Sequence, residues 1–298
     1  QDAVQLLGRP AGDGLITIRE TDRMLVLSCE QFTYVFNKLT GLFDKMTFAN
    51  EPLLDQPMGF NVWRAPTDND RKLKADWYAA HYDHAATNAY HTEYTVTASG
   101  VTLHTHVGIA AICVQKFLDL DVTWTVANNG SVDLALHAQR NTVFPELPRF
   151  GLRLFLPQEM SQVNYYGMGP MECYRDKHHA ASHSSYTATV WQLHEDYIRP
   201  QENGSHFDCD YVMLAGDAVR LTAVGTQPFS FNASHYTQEE LTRKAHNYEL
   251  EPCGSTVLCL DYAQNGIGSE SCGPRLLEQY RLDDATFNFG LRLFPEKK

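Results

Sequence analysis

The 298-residue sequence lacks an excess of basic residues and lacks any long apolar run. It contains 24 Lys and Arg against 36 Asp and Glu, which gives a formal net charge of −12. An acidic chain without a basic stripe argues against binding to nucleic acid or to an anionic membrane surface. No apolar run approaches the ~18 residues of a membrane-spanning helix, and no secretory signal is visible. We therefore expect neither nucleic acid nor a membrane as a partner.

Cysteine patterns for disulfide frameworks are also missing. The seven cysteines are scattered, odd in number and include no Cys-x-x-Cys pair. This usage is typical of free thiols in a reducing compartment, so we expect a cytoplasmic protein. The sequence begins with Gln rather than Met, which favours a piece of a longer protein. Residues 1–14 contain several glycines and are predicted to be a linker from an upstream domain, followed by one β-sandwich domain over residues 15–298.

Common signatures of nucleotide sites, serine nucleophiles and metal sites do not occur either. No Gly-x-Ser-x-Gly, P-loop or Gly-x-Gly-x-x-Gly motif lies between a strand and a helix. Histidines cluster at positions 178, 179 and 183, at 81 and 84, and at 104 and 106, but none matches a zinc spacing. We predict no metal ligand and no cofactor in this chain.

What the sequence does contain is regular alternation of apolar and polar residues. Apolar side chains occupy every second position over residues 118–126 and again over residues 132–138. Asn128-Asn129-Gly130-Ser131 lies between these two segments and predicts a hairpin turn. The same period recurs at residues 32–36, 152–156, 257–262 and 287–293. The sequence therefore predicts an all-β fold, a large antiparallel sandwich.

Two short helices are predicted in the connections. Leu73, Trp77 and Ala80 form one apolar stripe within residues 70–81, with Asp68 or Asp70 as the N-cap. A capping-box pattern from Thr237 to Glu240 opens the second helix.

Acidic residues recur in loops punctuated by glycine and proline. Glycoside hydrolysis needs two carboxylates that face each other across the scissile bond, and one sequence cannot show which loops converge. Each carboxylate therefore has two possible roles at this stage. It can be structural, as a cap or an Arg partner, or it can be catalytic. The loop carboxylates are Asp68, Asp70, Glu172, Asp176, Glu202 and Glu270.

Five of these segments match one known family in order and spacing. They are Arg-Ala-Pro-Thr-Asp-Asn-Asp (64–70), Gly-Met-Gly-Pro-Met-Glu-Cys-Tyr-Arg-Asp (167–176), Tyr-Ile-Arg-Pro-Gln-Glu-Asn-Gly (197–204), Phe-Asn-Ala-Ser-His-Tyr (231–236) and Gly-Ile-Gly-Ser-Glu-Ser-Cys-Gly-Pro (266–274). Over residues 15–295 the chain resembles the C-terminal domain of the large bacterial β-galactosidases of glycoside hydrolase family two. The same unit forms the small subunit of the heterodimeric versions.

The resemblance implies a galactose mutarotase-like supersandwich and a role in hydrolysing terminal β-D-galactosides such as lactose, with retention. In that family the nucleophile and the acid/base are glutamates on a TIM barrel upstream. This chain lacks the alternating βα pattern of a barrel, so we expect no catalytic residue in it. The implied partners are the catalytic barrel and the galactoside, in an oligomer when complete. Magnesium and sodium are implied for the complete enzyme, mainly outside this chain.

The resemblance further implies that two loops lie at the mouth of the galactoside pocket. The expected rim or docking residues are Arg64, Asp68, Asn69, Asp70, Ser269, Glu270, Ser271 and Cys272. We expect Arg64 and Asp68 to form a charge-assisted pair that holds the first loop. The best-known members have a tryptophan in the second loop, where this sequence has Ser271-Cys272-Gly273, so stacking from this loop is not expected. Residues expected to be structural are Glu172, Tyr174, Asp176, Glu202 and Asn203.

Two alternatives remain open at this stage. A freestanding carbohydrate-binding or aldose-epimerase-like module shares the implied fold, and an epimerase would need an acid–base pair such as His179 with Glu172. An interaction scaffold with no sugar contact is the other.

Overall fold

The computed structural model describes residues 14–298, which form two antiparallel β-sheets and few helices. The smaller sheet has five strands in sequential order, β1 (Thr17–Glu20), β2 (Met24–Ser28), β3 (Phe32–Asn37), β4 (Leu42–Phe48) and β5 (Glu51–Pro52). The larger sheet has twelve strands, β6 (Gln56–Asn61), β7 (Ala86–Thr97), β8 (Gly100–Ala110), β9 (Leu118–Ala127), β10 (Val132–Arg140), β11 (Arg149–Pro157), β12 (Gln162–Gly169), β13 (Ser182–Thr189), β14 (His206–Ala215), β15 (Val219–Ser234), β16 (Ser255–Gln264) and β17 (Thr286–Lys297). The linker predicted over residues 1–14 lies outside the described residues, apart from Gly14.

The predicted all-β sandwich is confirmed. The apolar positions that alternate in the sequence are the buried positions of the strands. In β9 and β10 every second side chain is buried, and Trp124 lies opposite Leu134 in the pair. The turn at residues 128–131 joins these strands as predicted. Within residues 14–298, no helix is both long and apolar enough to cross a membrane.

The larger sheet branches at β15, which exchanges one neighbour for another along its length. Residues 219–225 pair with β17, whereas residues 230–234 pair with β16, which in turn pairs with β11. Gly225 and Pro228 lie at the change. A Cβ at Gly225 would lie 2.1 Å from the Gln227 carbonyl oxygen, and proline cannot donate to the ladder. The branch places the start of β14 and the end of β16 on either side of residues 229–231, inside β15.

Aromatic side chains join the smaller sheet to strands β8 to β10. The Tyr34 hydroxyl donates to the Gly130 carbonyl at 2.6 Å, and Trp124 Nε1 donates to the Gly41 carbonyl at 3.0 Å. The Phe43 ring packs edge-on against Trp124 with ring centres 5.3 Å apart. The Tyr34 hydroxyl and the Trp124 indole N–H are both hydrogen-bonded. These aromatic side chains therefore stabilise the sandwich without burying an unsatisfied donor.

The two helices form where predicted, but the first differs at its start. It is α1 (Leu73–Ala79), which follows a 3-10 turn at Asp68–Arg71 and buries Leu73, Trp77 and Ala80. The predicted cap is wrong: the residue before α1 is Lys72, without a side-chain cap, because Asp70 turns back toward Thr67. The second helix, α2 (Gln238–Arg243), begins after Thr237, whose side chain accepts the Glu240 N–H. The other 3-10 turns are Tyr82–His84, Val190–Leu193, Asn247–Glu249 and Glu278–Tyr280.

His206 lies inside an aromatic cluster near the start of β14. Its ring is 4.6 Å from that of Tyr165 and 5.1 Å from that of Phe231, and Nδ1 lies 3.2 Å from the Met168 carbonyl oxygen. Burial lowers the pKa of His206 from 6.5 to about 4. The unfolded chain therefore takes up this proton at a higher pH than the folded chain.

We expect His206 to contribute to acid destabilisation. Its contribution is complete above pH 6.5 and is lost as the pH falls toward 4, because only the unfolded form protonates in that window. Between pH 7 and about pH 4.5, the free energy of unfolding of the wild type should fall by about 2 kcal/mol more than that of His206→Asn. Urea unfolding at both pH values measures this. The exposed His104→Asn is the control, and an unchanged pH dependence in His206→Asn would contradict the assignment.

Candidate functional site

The site is organised around the side chain of Arg64, which follows β6 and is completely buried. Its Nε and Nη2 atoms bind the two carboxylate oxygens of Asp70 at 3.2 and 2.7 Å. Nη1 donates to the Asn265 carbonyl, and Nη2 donates to the Gly266 carbonyl at 3.2 Å. The guanidinium carbon lies 5.1 Å from the Trp77 ring centre. This bidentate, fully enclosed geometry ties residues 64–70 to residues 265–266.

The expected pair of Arg64 with Asp68 is therefore wrong, since Asp70 takes that place. Asp68 is exposed, and its backbone N–H donates to Gln201 Oε1 at 2.8 Å. Asp70 is the third residue of the 3-10 turn, which directs its side chain back toward Thr67. The Thr67 N–H and hydroxyl donate to Asp70 Oδ2 at 2.8 and 3.1 Å. The Thr-x-x-Asp spacing of Thr67 and Asp70 is a capping-box pattern. It could have identified Asp70 as the carboxylate that turns back into this loop.

The second loop is held by Asn69 and Asp176 as well as by Arg64. Asn69 Nδ2 donates to the Ile267 carbonyl. The Asp176 carboxylate accepts the Ile267 N–H at 3.0 Å and the Gly268 N–H at 2.7 Å. A Cβ at Gly266 would lie 2.6 Å from Asp176 Oδ2, so the close approach requires glycine there. The structure thus brings the two predicted docking loops together.

The rest of the second loop extends away from this anchored part. Ser269 and Glu270 are half-buried, whereas Ser271 and Cys272 are exposed. Glu270 adopts a left-handed backbone with φ of 82°. These four side chains lie on the surface beside the anchored segment 265–268.

Glu172 holds the segment of residues 197–204. Its carboxylate accepts hydrogen bonds from the Tyr197 hydroxyl, from Lys177 Nζ at 2.8 Å, from the Gly204 N–H at 3.0 Å and from the Tyr174 hydroxyl at 3.4 Å. Burial raises the pKa of Tyr197, and the adjacent carboxylate raises it further, so the phenol remains a donor. Four donors occupy Glu172, which leaves this carboxylate poorly placed to accept a proton from a ligand.

Among the described residues, His179 forms no hydrogen bond or ion pair with Glu172, the pair named for the epimerase alternative, although both residues line one surface cavity. His179 is exposed, and its ring lies 5.0 Å from that of His178. His178 in turn approaches the Tyr174 carbonyl oxygen at 3.1 Å. Across residues 14–298, no group of three or more His, Cys, Asp or Glu side chains could hold a metal ion.

A second buried guanidinium, that of Arg149, also binds the loops of the site, and sequence reasoning missed it. Arg149 Nη1 donates to Glu202 Oε1 at 2.6 Å, Nε to Asp261 at 3.1 Å and Nη2 to Asn232 at 2.7 Å. Glu202 also accepts the Ala65 N–H at 3.2 Å. Burial alone would lower the pKa of Arg149, but the carboxylates of Asp261 and Glu202 raise it, so Arg149 stays charged. Arg149 begins β11, and no local pattern in the sequence distinguishes it from a surface strand residue.

Asn203 anchors the loop that carries Glu202. Its side-chain oxygen accepts the Glu195 N–H at 3.0 Å, and its amide donates to the Gln201 carbonyl at 2.9 Å. The residues predicted to be structural therefore hold the loops to one another.

A surface groove of about 240 Å³ runs along the junction of these loops. Its walls include the polar residues Asp68, Asn69, Lys177 and Tyr197. Such a groove can position polar groups such as hydroxyls through hydrogen bonds. The residues that line it are Thr67, Asp68, Asn69, Lys177, Tyr197, Gln201, Glu202, Ile267 and Gly268.

The pairing of Arg64 with Asp70 makes a direct prediction about two neighbouring carboxylates. Asp70→Asn leaves a buried guanidinium without its counter-charge and should lower the free energy of unfolding by about 3 kcal/mol. Asp68→Asn changes an exposed group and should alter it by less than ~0.5 kcal/mol. Denaturant unfolding of both variants measures the difference. Equal losses would contradict the pairing seen in the structure.

Comparisons with known proteins give the family of the chain. The family model described as the beta galactosidase small chain matches residues 28–293. A beta-galactosidase of Actinobacillus pleuropneumoniae is 43% identical over 267 residues, which cover 90% of this chain and 26% of that protein. A beta-galactosidase of Staphylococcus xylosus is 37% identical over 279 residues, covering 93% and 28%. The chain thus spans about a quarter of the length of the curated relatives it matches.

Among solved structures, the chain is similar to a galactose mutarotase-like protein from Lactobacillus casei. The identity is 12% and the TM-score 0.48, with 92% of this chain and 100% of the other covered. Because the family model covers most of its length, the chain belongs to the β-galactosidase small-chain family.

Proposed function

We propose that this chain is the non-catalytic C-terminal domain or small subunit of a β-galactosidase that hydrolyses terminal β-D-galactosides, such as lactose, with retention. Family membership supports the proposal, and so do relatives that are named beta-galactosidases and are about four times as long as the match. In this proposal the catalytic glutamates lie on a TIM barrel in the part of the enzyme that the chain does not match. The chain completes the galactoside pocket and the assembly.

The observation that carries the proposal is the junction of the two loops at Arg64. Residues 64–70 and 265–268 share one buried cation, so they form a single preorganised edge rather than two independent loops. A preorganised edge loses little conformational entropy when it docks against a partner. In this role Asp68, Asn69, Ser269, Glu270, Ser271 and Cys272 form the rim, while Arg64 and Asp70 hold it.

The complete enzyme has further proposed features. We propose that the magnesium and sodium sites of the complete enzyme lie mainly outside this chain. All seven cysteines are free, which supports a cytoplasmic location. We also propose that residues 1–14 link the sandwich to the catalytic part and that the complete enzyme is oligomeric.

A complementation assay tests the proposal. The chain alone should not hydrolyse a chromogenic β-galactoside, and addition of the catalytic part should produce activity well above that of either part alone. The same preparation should not accelerate the interconversion of α- and β-galactose. Strong hydrolysis by the chain alone would overturn the non-catalytic role, and rapid interconversion would instead favour the epimerase alternative.

The link from Asn69 to Ile267 predicts a loop-specific effect on activity. Asn69→Ala removes one hydrogen bond between the loops, worth ~1 kcal/mol, and should lower kcat/KM of the assembled enzyme about fivefold. Asn37→Ala is the matched control, because it removes an amide hydrogen bond to Asp44 in the smaller sheet. The control should leave kcat/KM unchanged. Equal effects of the two substitutions would show that the loop junction has no special role.

A further inference from the structure

Four apolar side chains lie near one another on the surface beside the segment of residues 197–204. Ile198 and Tyr248 are 79% and 80% exposed, and Trp191 is 50% exposed. Tyr236, which is half-buried, completes the group. Single exposed apolar residues are ordinary in folded proteins, whereas neighbouring ones mark interaction surfaces. We call Trp191, Ile198, Tyr236 and Tyr248 the apolar patch.

Two segments that are distant in the chain meet at the patch. Asn247 donates its backbone N–H to the Ile198 carbonyl at 3.0 Å. The side-chain amide of Asn247 donates to Asp196 Oδ1, also at 3.0 Å. These two hydrogen bonds fix the segment that carries Tyr248 beside the segment that carries Ile198.

Ring contacts connect Trp191 to the same place. The Trp191 ring packs edge-on against the Tyr236 ring with centres 5.9 Å apart, and the Tyr236 ring lies 5.1 Å from that of His194. Burial raises the pKa of the Tyr236 hydroxyl, and the nearby Asp196 carboxylate raises it further. The patch therefore combines aromatic and aliphatic side chains, which is the composition typical of the centre of a protein–protein interface.

The patch continues directly into the rim. Tyr197 lines the groove at the loop junction, and Ile198 is the next residue in the chain. Glu172 accepts the Tyr197 hydroxyl, and Gln201 Oε1 accepts the Asp68 N–H at 2.8 Å. Because these contacts hold the segment against the first loop, a partner that covers the rim also meets the patch.

The identity of the occupant follows from the size of the relatives and from the position of the rim. The relatives are about four times as long as the match, so under the proposed function a large catalytic part is available to cover the patch. A second copy of this chain on the patch would stand between the rim and the galactoside pocket. We propose that the apolar patch docks against the catalytic part of the β-galactosidase, with Trp191, Ile198 and Tyr248 as its anchors. The inference rests on the proposed function.

Hydroxyl-radical footprinting of the chain, alone and in complex with the catalytic part, tests the inference. Radicals modify exposed side chains, so docking should lower the modification of Trp191, Ile198 and Tyr248 by about fivefold or more. Leu39 and Tyr90 are the controls, since they are about as exposed as Trp191 and lie at β7, at the other end of the strand order from β13. Their modification should not change. Equal modification of the patch in both samples would overturn the inference.

Substitutions in the patch measure its contribution to assembly. Ile198→Ser and Tyr248→Ser should each raise the Kd for the catalytic part ~10-fold or more, because each truncates a side chain that docking buries. Leu39→Ser and Tyr90→Ser are the matched controls and should leave the Kd unchanged. All four side chains are exposed in the chain alone, so its melting temperature should stay within about 2 °C of the wild type.

The outcomes separate this inference from the proposed function. If the wild-type chain forms an active complex and neither patch variant weakens it, the inference is wrong and the proposed function stands. If the wild-type chain forms no complex with the catalytic part, the proposed function is wrong and the inference falls with it. A dimer of the chain alone that Ile198→Ser dissociates would assign the patch to a second copy and would also overturn the inference.

Discussion

The buried guanidinium of Arg64 joins the two loops of the candidate site, and the geometry of the site depends on this contact. A charge removed from water must be paired and fully hydrogen-bonded, or its desolvation destabilises the fold. Asp70 neutralises the charge from within the first loop, and the carbonyls of Asn265 and Gly266 satisfy it from the second. The loops cannot separate without removing the two carbonyl acceptors of the buried cation, so the site behaves as one body.

A second cation extends the same constraint into the sandwich. Arg149 binds Asp261 on β16 and Glu202 in the neighbouring loop, and Glu202 exchanges backbone and side-chain hydrogen bonds with Ala65. Arg64 and Arg149 are therefore connected through two adjacent loops. Two of the loop carboxylates noted in the sequence, Asp70 and Glu202, are occupied by these contacts.

The fold was largely predictable, whereas the partners within the site were not. Alternation at β9 and β10, the turn at residues 128–131 and the buried stripe of α1 all follow from neighbouring residues. The assignment of Asp68 to Arg64 failed because both carboxylates lie within reach along the chain, and only the 3-10 turn decides between them. The role of Arg149 could not be predicted, since its partners Asn232 and Asp261 lie on β15 and β16 and meet it only through the branching of the larger sheet.

The sequence by itself determined the all-β class, the positions of six of the seventeen strands in residues 14–298, the two short helices and, through five motifs, the family. These properties depend on the period of apolar side chains, on turn residues and on the order of motifs along the chain. Each of these can be read from neighbouring residues or from the linear sequence. The tertiary structure alone decided that residues 64–70 meet residues 265–268 and that Asp70 rather than Asp68 neutralises Arg64. Arg64 and Asn265 are 201 positions apart, and contacts at such a separation are set by how the sheets pack and branch rather than by any local preference.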